Sequence, residues 1–492
     1  MSTEKERELF EERLRKLESL KKGGVDPYPA ETRRTHTVAE ALEKFGALSK
    51  SKKSITLAGR IRGLRAHGAL IFGTLEDFSG RLQFLLKKDE IPEKDFAQFA
   101  KFFDIGDFVE LSGGLMETKR GEKTLLVSSY RMLAKSLRAL PDQWHGLTNV
   151  EARLRKRYLD LLMSAETREL FVKKAKFWAT IREHLLAAGF LEVETPVLER
   201  VPGGAEAEPF VTHYNALDQD FYLRISLELP LKRLLVGGYE RIFEIGRVFR
   251  NEGISSEHLQ DYTAMEFYWA YADFEDLKEF LQKLYREIVK ELFGTTKVTV
   301  GGKEVDWGAK WKEYDYYAEF KKHAKLDLEK ASETDLVNLC KKLGVKIEKS
   351  FQRGRLVDLI YKKTVRPNLT DVGFLVYPPV EIEPLAKRVA DDPKRVQRLQ
   401  VIAWGTELGK GFAELNDPID QRERFAEQMK LRAAGDKEAQ MLDEDFVEAL
   451  EYGMPPAAGF GLSERLFAIL MDKSIRETVI FPSMRSEKHE EK

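Results

Sequence analysis

Between Ser54 and about Leu140 the chain breaks into short runs of strand character: ITLAGRIRGLRA, ALIFGTLED, RLQFLLKK, DFVELSGGLMET and KTLLVSSYRML. Gly-containing turns such as Phe78-Ser79-Gly80-Arg81 and Lys119-Arg120-Gly121-Glu122 separate them. Five short strands in fewer than about a hundred residues point to a small β-barrel. Such a barrel fills only part of a chain of 492 residues, since a domain takes roughly 100 to 200.

Beyond Glu151 long amphipathic helices alternate with strands to about Pro482. Examples are the helix around Leu170 to Ala188, the strand FYLRISLELP over 221–230 and the apolar helix RLFAILMDK after Gly461. The chain therefore reads as a multidomain α+β protein. A lead-in over 1–50 carries Phe10, Leu14, Leu17 and Leu20 at helical spacing, and the barrel follows over 51–140. A linker over 141–150 leads to a large domain over 151–485, with a Lys-rich helical insertion near 295–375. The tail 486–492, SEKHEEK, is charged and is expected to be disordered. The commonest five-stranded barrel that binds nucleic acid is the OB-fold, which is the expectation for 51–140.

The 81 Lys+Arg and 82 Asp+Glu nearly cancel, so the chain has no global attraction to nucleic acid or membrane and any polyanion site must be local. Cys340 is the only cysteine, which excludes an intrachain disulfide framework and Cys-based zinc or iron–sulfur sites and fits a reducing compartment. No stretch of roughly 18 apolar residues could span a membrane, and the N-terminus has no apolar run for a signal peptide. A cytoplasmic protein without a membrane partner is expected.

Neither a GxxxxGK[ST] loop nor a GxGxxG turn after a first strand is present, so the common phosphate cradles do not apply. The unusual segment is FEIGRVFRNEGISSEHLQDYTAMEFYWAYADF, residues 243–274. The alternating stretches RIFEIGRVFR and YTAMEFYWAYA flank the polar loop NEGISSEHLQD, the pattern of an antiparallel hairpin. Arg247, Arg250, Glu252, His258 and Glu266 gather around its turn, and an inward charge on such a strand needs a partner.

These residues resemble the class II aminoacyl-tRNA synthetases. Phe249-Arg250-Asn251-Glu252 looks like motif 2 of the class, GFLEVETP over 189–196 like motif 1, and GFGLSER over 459–465 like motif 3. Within the class, EARLRKRYLDL (151–161), PGGAEAEPF (202–210), RISLELPLKRLLVGGYERIFEIGRVFRNEG (224–253) and ELND (414–417) are similar to the lysyl branch. The resemblance covers about residues 1–485. It implies an OB-fold anticodon-binding barrel ahead of a catalytic domain built on an antiparallel sheet flanked by helices.

The implied reaction joins L-lysine to tRNA(Lys) in two steps, through lysyl-adenylate, with ATP as substrate and Mg²⁺ as metal. An in-line displacement at phosphorus asks for positioning and charge neutralisation rather than an enzyme nucleophile. The resemblance gives Arg250 the α-phosphate and the substrate carboxylate, His258 the γ-phosphate, Tyr262 and Arg465 the two faces of adenine, and Glu252 its amino groups. It gives Glu407 and Glu414 the Mg²⁺. The lysine would be held by Gly204, Glu228, Glu266, Tyr268, Phe412 and Glu414, with Glu228 placed in the strand-like RISLELP. In the barrel, Phe72 would stack on an anticodon base, and Arg65, Gln83 and Glu122 would read base edges. Motif 1 implies a homodimer. Lys410 stands in GKGF where the family usually carries Asn. A lysine substrate then requires its ammonium to be turned away or neutralised, with Glu407 and Glu414 as the acidic candidates. Two other readings are an aspartyl- or asparaginyl-type enzyme, opposed by Glu228 and Glu266, and a non-aminoacylating RNA-binding relative, opposed by the retained Arg250, Glu407, Glu414 and Arg465.

Overall fold

The five strand-like runs form a closed barrel in the computed structural model, which describes residues 3–141, 149–253, 258–348, 351–436 and 438–486. The chain divides into two units, Met1–Val150 and Glu151–Lys492. In the first, the helices α1 (Thr3–Lys22), α2 (Val38–Glu43) and α3 (Phe45–Ser51) precede β1 (Ile55–His67), β2 (Leu70–Asp77) and β3 (Gly80–Lys87). The helix α4 (Glu93–Phe102), β4 (Phe108–Glu117) and β5 (Lys123–Ala134) follow. The strand order β1-β2-β3-β5-β4 closes with only the β3–β5 pair parallel, which is the OB-fold.

Every second residue points inward, as the pleat requires: Ile55, Leu57 and Ile61 from β1, Ile71 and Leu75 from β2, Leu82, Phe84 and Leu86 from β3. The helix α4 was not among the expected elements, because its ten residues offer a single fully buried side chain, Phe99, as a signal. That ring closes one side of the barrel core. It stacks on Phe103 with centroids 4.4 Å apart and meets Phe84 and Tyr130 edge-on. The N-terminal helix docks by Leu17 and Leu20 of the expected stripe, and Arg13 donates to the carbonyls of Ile105, Ser136 and Arg138.

The second unit runs through α5 (Val150–Arg155), α6 (Arg157–Met163), α7 (Ala165–Ala187), β6 (Leu191–Glu192), β7 (Leu198–Glu199), β8 (Val211–Tyr214), β9 (Gln219–Leu223) and α8 (Glu228–Val236). The hairpin β10 (Arg241–Phe249) and β11 (Asp261–Ala270) and the helix α9 (Phe274–Phe293) come next. They are followed by β12 (Lys297–Val300), β13 (Lys303–Asp306), β14 (Lys312–Asp315), α10 (Tyr316–Ala324), α11 (Glu333–Lys342), α12 (Arg353–Ile360) and β15 (Gly373–Val376). The chain ends with β16 (Arg398–Ala403), β17 (Thr406–Ala413), α13 (Pro418–Ala433), α14 (Glu444–Glu451), β18 (Ala457–Ser463) and α15 (Arg465–Leu470).

An eight-stranded sheet in the order β14-β15-β16-β17-β18-β11-β10-β6 carries the unit. Its five inner pairs are antiparallel, but the two edge pairs, β14–β15 and β10–β6, are parallel, so the sheet is mixed rather than antiparallel throughout. On one face Phe243, Phe267 and Phe460 of the sheet pack against Phe177 of α7, Leu281 of α9 and Phe467 of α15. On the other, Ile242, Tyr268 and Phe412 meet Leu231 of α8, Phe425 of α13 and Phe446 of α14.

The run FYLRISLELP is not one strand. Pairing ends at Leu223, and α8 begins at Glu228. Pro230 sits in the first turn of that helix, where its missing N–H is no loss, and Leu231 and Leu235 then fall on one buried face at helical spacing. The segment expected as a helical insertion is helical only from Tyr316; before it come the β12–β13 pair and β14, which extends the main sheet. Its helices bury Cys340 fully among Phe320, Leu336 and Leu356. Residues 142–148 of the expected linker, 254–257 of the hairpin loop and 487–492 of the expected tail lie outside the described residues. Among the described residues no helix is long and apolar enough to cross a membrane.

Phe99→Ala is expected to destabilise the barrel by about 3–5 kcal/mol through the cavity it leaves among Phe84, Phe103 and Tyr130. Urea unfolding of the full chain followed by a probe in the first unit measures this, and a loss below about 1 kcal/mol would mean the barrel end collapses freely onto the gap.

Candidate active site

The strand β18 has glycine at Gly459 and Gly461, and the strands on either side use the space. In register, Tyr268 of β11, Gly459 and Phe412 of β17 form one row across the sheet, and Glu266, Gly461 and Lys410 form the next. A Cβ on Gly459 would overlap the Glu414 carboxylate and lie 2.5 Å from the Tyr268 ring; one on Gly461 would stand 3.2 Å from Glu266 Cγ. Neither glycine is in the left-handed region, so the requirement is close approach and not backbone conformation.

Above these rows lies a cavity of ≈ 660 Å³. Gly204, Glu228, Glu266, Tyr268, Phe412 and Glu414 line it, and so do Arg250, Tyr262, Glu407 and Arg465. An adjoining cavity of ≈ 410 Å³ shares Arg250, Tyr262 and Arg465 and adds Glu252 and His258. Sequence reasoning therefore placed twelve residues that the fold gathers around two connected spaces.

The deep end of the larger cavity is acidic. Glu266 accepts from Ser226 Oγ at 2.8 Å, from the Leu227 backbone N–H at 3.0 Å and from Tyr268 Oη at 3.0 Å, all neutral donors. Glu228 opens α8 and pairs with Lys232 one turn on, at 2.6 Å; the same ammonium is paired with Glu414. All three side chains are buried, Lys232 completely. Burial pushes the Glu228 carboxyl up to about 7, with Lys232 pulling it down and Glu266 adding to the rise. Burial likewise carries Glu414 well above the carboxylate range against the pull of Lys232. Burial opposes the charge of Lys232, but Glu228 and Glu414 outweigh it and hold the ammonium above its ordinary pKa. Gly204, at φ +82°, lets the backbone pass over this corner, where a Cβ would come within 2.9 Å of Glu228 Cβ.

Arg250 follows the end of β10 and continues the hairpin, its N–H bonded to Gln260 O at 2.8 Å. Its Nε donates to Ile225 O at 3.3 Å, and its guanidinium lies 5.5 Å from the Tyr262 ring centroid. Burial, against the nearby charge of Arg250, raises the Tyr262 phenol. The hairpin is tied to the end of β9 by the buried pair Arg224–Glu244 at 2.6 Å, and to the segment after β6 by Thr195, which donates to Glu244. Glu464 fixes the start of α15 by accepting from Thr263 N–H at 3.0 Å, which sets Arg465 beside Tyr262.

Glu407 and Glu414 are seven residues apart, an odd spacing that would put them on opposite faces of a regular strand. A bulge restores them to one face. Val401 pairs with Gly409 and Ile402 with Glu407, so Leu408 is left over and turns into the core, where its carbonyl accepts from Tyr285 Oη at 2.8 Å. The two carboxylates are nevertheless unlike. Glu407 Oε1 is buried without a hydrogen bond, with Arg366 4.0 Å away, whereas Glu414 is paired with Lys232 through Oε2 and has its Oε1 buried without a hydrogen bond. Each of the two expected Mg²⁺ ligands therefore keeps a buried oxygen without a hydrogen bond. Lys410 meets neither of its two anticipated partners: it pairs with Glu383 at 3.1 Å, which also holds Arg398 at 3.3 Å.

In the first unit, Arg65 is directly opposite Phe72, and Gln83 lies opposite Thr74, two residues along the same face as Phe72. Gln83 donates to Thr124 Oγ1 at 2.8 Å, and Glu122 sits at the turn two residues before Thr124. Phe72 is not part of the barrel core. The four residues share the outer surface of the barrel.

Sequence reasoning missed Lys232, Ser226 and Glu383. The signal for Lys232 was present in ELPLK, where Glu and Lys stand four apart on what proves to be a helix.

Residues 149–485 match the family described as tRNA synthetases class II (D, K and N), and residues 55–133 match the OB-fold nucleic acid binding domain. The lysine–tRNA ligase of Carboxydothermus hydrogenoformans is 43% identical over 483 residues, which covers 97% of this chain and 98% of that protein. Those of Moorella thermoacetica and a Roseiflexus species are 43% and 44% identical over 488 and 482 residues, covering 99% and 97% of this chain and 99% of each relative.

Gly459→Ala is expected to push Glu414 off Lys232 or tilt the Tyr268 ring, at about 1–3 kcal/mol of stability. Chemical denaturation gives the cost and a crystal structure of the variant the displacement; an unmoved Glu414 with unchanged stability would contradict the close approach.

Proposed function

The chain belongs to the class II tRNA synthetases, in their lysine–tRNA ligase branch, and we propose that the two connected cavities are where L-lysine and ATP react. The observation that carries this reading is the convergence of Glu228, Glu266 and Glu414 on one buried pocket beside Arg250. Long cationic side chains need carboxylates and aromatic walls at depth, and Tyr268 and Phe412 supply the walls. An acidic or amide substrate would need a cation there, and the one that differs from the family, Lys410, is held by Glu383.

In the first step a lysine carboxylate oxygen attacks the α-phosphorus of ATP, the bond to the bridging oxygen of the β-phosphate breaks, and pyrophosphate leaves. Arg250 binds the carboxylate and the α-phosphate together, which its planar fork suits. Tyr262 and Arg465 stack on adenine, Glu252 accepts from its amino group and His258 meets the γ-phosphate. Glu407 and Glu414 would hold a Mg²⁺ ion, which when bound would neutralise phosphate charge. In the second step the terminal ribose hydroxyl of tRNA(Lys) attacks the lysyl carbonyl and AMP leaves. On the barrel, Phe72 stacks on an anticodon base while Arg65, Gln83 and Glu122 read base edges.

The protein works as a homodimer in the cytoplasm. Exposed apolar side chains between α7 and β9, among them Leu186, Leu191, Val197, Leu198, Val211 and Tyr214, support a second copy as their cover. Sedimentation at micromolar concentration is expected to give twice the chain mass; a fully active monomer would remove this part of the proposal.

Arg250→Ala is expected to abolish lysine-dependent ATP–pyrophosphate exchange while the chain stays folded, since charge neutralisation at a water-poor site contributes several kcal/mol, on the order of 3. Phe72→Ala is expected to leave exchange intact and weaken only tRNA charging, by about 1–3 kcal/mol of lost stacking. Exchange unaffected in the first variant, or damaged equally in the second, would refute the respective assignment.

A further inference from the structure

We propose that Lys232 is the internal counter-ion that fits this pocket to an amino acid carrying two ammonium groups. The inference rests on the reading of the cavity as the lysine site. Three carboxylates, Glu228, Glu266 and Glu414, face Tyr268 at the deep end. Three like charges in a water-poor space each need a cation or a proton. Lys232 is fully buried, 2.6 Å from Glu228 and paired with Glu414, and its ammonium stands 5.2 Å from the Phe412 ring centroid. It cancels one of the three charges. The two that remain match the two ammonium groups of a lysine whose own carboxylate is taken by Arg250, so that with substrate in place all three carboxylates are ionised and balanced.

The other groups fit this count. Among the described residues Glu266 accepts from a hydroxyl, a backbone N–H and a phenol and from no cation, so its charge is left for the ligand. Lys410, whose ammonium is 5.9 Å from the same Phe412 ring, is committed to Glu383. An amino acid with a single ammonium would leave one carboxylate uncompensated, which makes Lys232 a source of selectivity although it need not touch the substrate. Lys232 acts through Glu228 and Glu414 and is a positioning residue. Two rival roles are a merely structural ion pair and a stand-in that the substrate ammonium displaces. Complete burial, and anchoring one helical turn from Glu228, give a displaced side chain nowhere to go.

The test is a double-substitution cycle in the full chain: the unaltered protein, Lys232→Met, Glu414→Gln and the two together. KM for L-lysine and KM for ATP are read separately in pyrophosphate exchange, with L-lysine binding by calorimetry and melting temperature alongside. Lys232→Met leaves one negative charge too many and Glu414→Gln one too few. Each is expected to raise the lysine KM about tenfold or more, and Lys232→Met to leave the ATP KM within about threefold. The pair restores the balance and is expected to bring the lysine KM below that of either single variant. Effects that simply multiply would overturn the proposal, as would a fall in lysine KM for Lys232→Met, the mark of a displaced stand-in. If Lys232→Met alone does not fold, the double variant decides against Glu414→Gln, and lysine binding no tighter in the double would overturn the proposal. An unaltered protein that shows no lysine-dependent exchange would instead refute the lysine reading itself.

Discussion

Side chains from two strands can share the space above a third only where that third strand has no Cβ, and β18 meets this condition at Gly459 and Gly461. Tyr268 and Glu266 lean over it from β11, and Phe412 and Glu414 reach it from β17 and its end. The floor of the pocket is therefore backbone, while its walls and ceiling are side chains. Glu228 on α8 and Arg250 beyond β10 complete the enclosure from other elements. A single added methyl group at the centre would have to be accommodated by the very carboxylate and phenol that define the pocket.

Enclosure also sets the electrostatics. Taking Glu228, Glu414 and Lys232 out of water strengthens every attraction and every repulsion among them, so the cluster is stable only with its charges matched. The pull of Lys232 opposes the rise that burial imposes on both carboxylates. The other end differs in kind: His258 is exposed and Arg250 only half-buried, so their charges stay in contact with water.

Much of this was legible in the sequence because it depends on local patterns. The barrel strands announce themselves by alternation, and the β10–β11 hairpin by two alternating stretches around a polar loop. The site residues came from motifs 2 and 3, which border the cavities at a strand end and a helix start, and from stretches of the resemblance outside the motifs; residues 189–196 of motif 1 do not line them. What was misread depends on distant contacts. Glu228 was placed on a strand because RISLELP alternates, yet the buried faces of α13 and α14 make a helix the better way to bury Leu231 and Leu235. The partner of Lys410 could not be guessed, since Glu383 is 27 residues away in sequence and reaches it only through the fold. The parallel edges of the sheet were hidden for the same reason: β14 joins β15 across three intervening helices.

The bulge at Leu408 has a consequence for how the protein tolerates change in length. Along β17 the inward and outward positions swap phase at one residue, so Glu407 and Glu414 belong to the same surface only while that extra residue is held in place. The holding group is the Tyr285 hydroxyl from α9, buried on the far side of the sheet and bonded to the Leu408 carbonyl. A helix that contributes nothing to the cavity thereby keeps time for the strand that lines it. Removing one hydroxyl there would leave a buried carbonyl unpaired, and the readiest relief is to iron out the bulge, which turns Glu407 away from the cavity by a single step of the pleat.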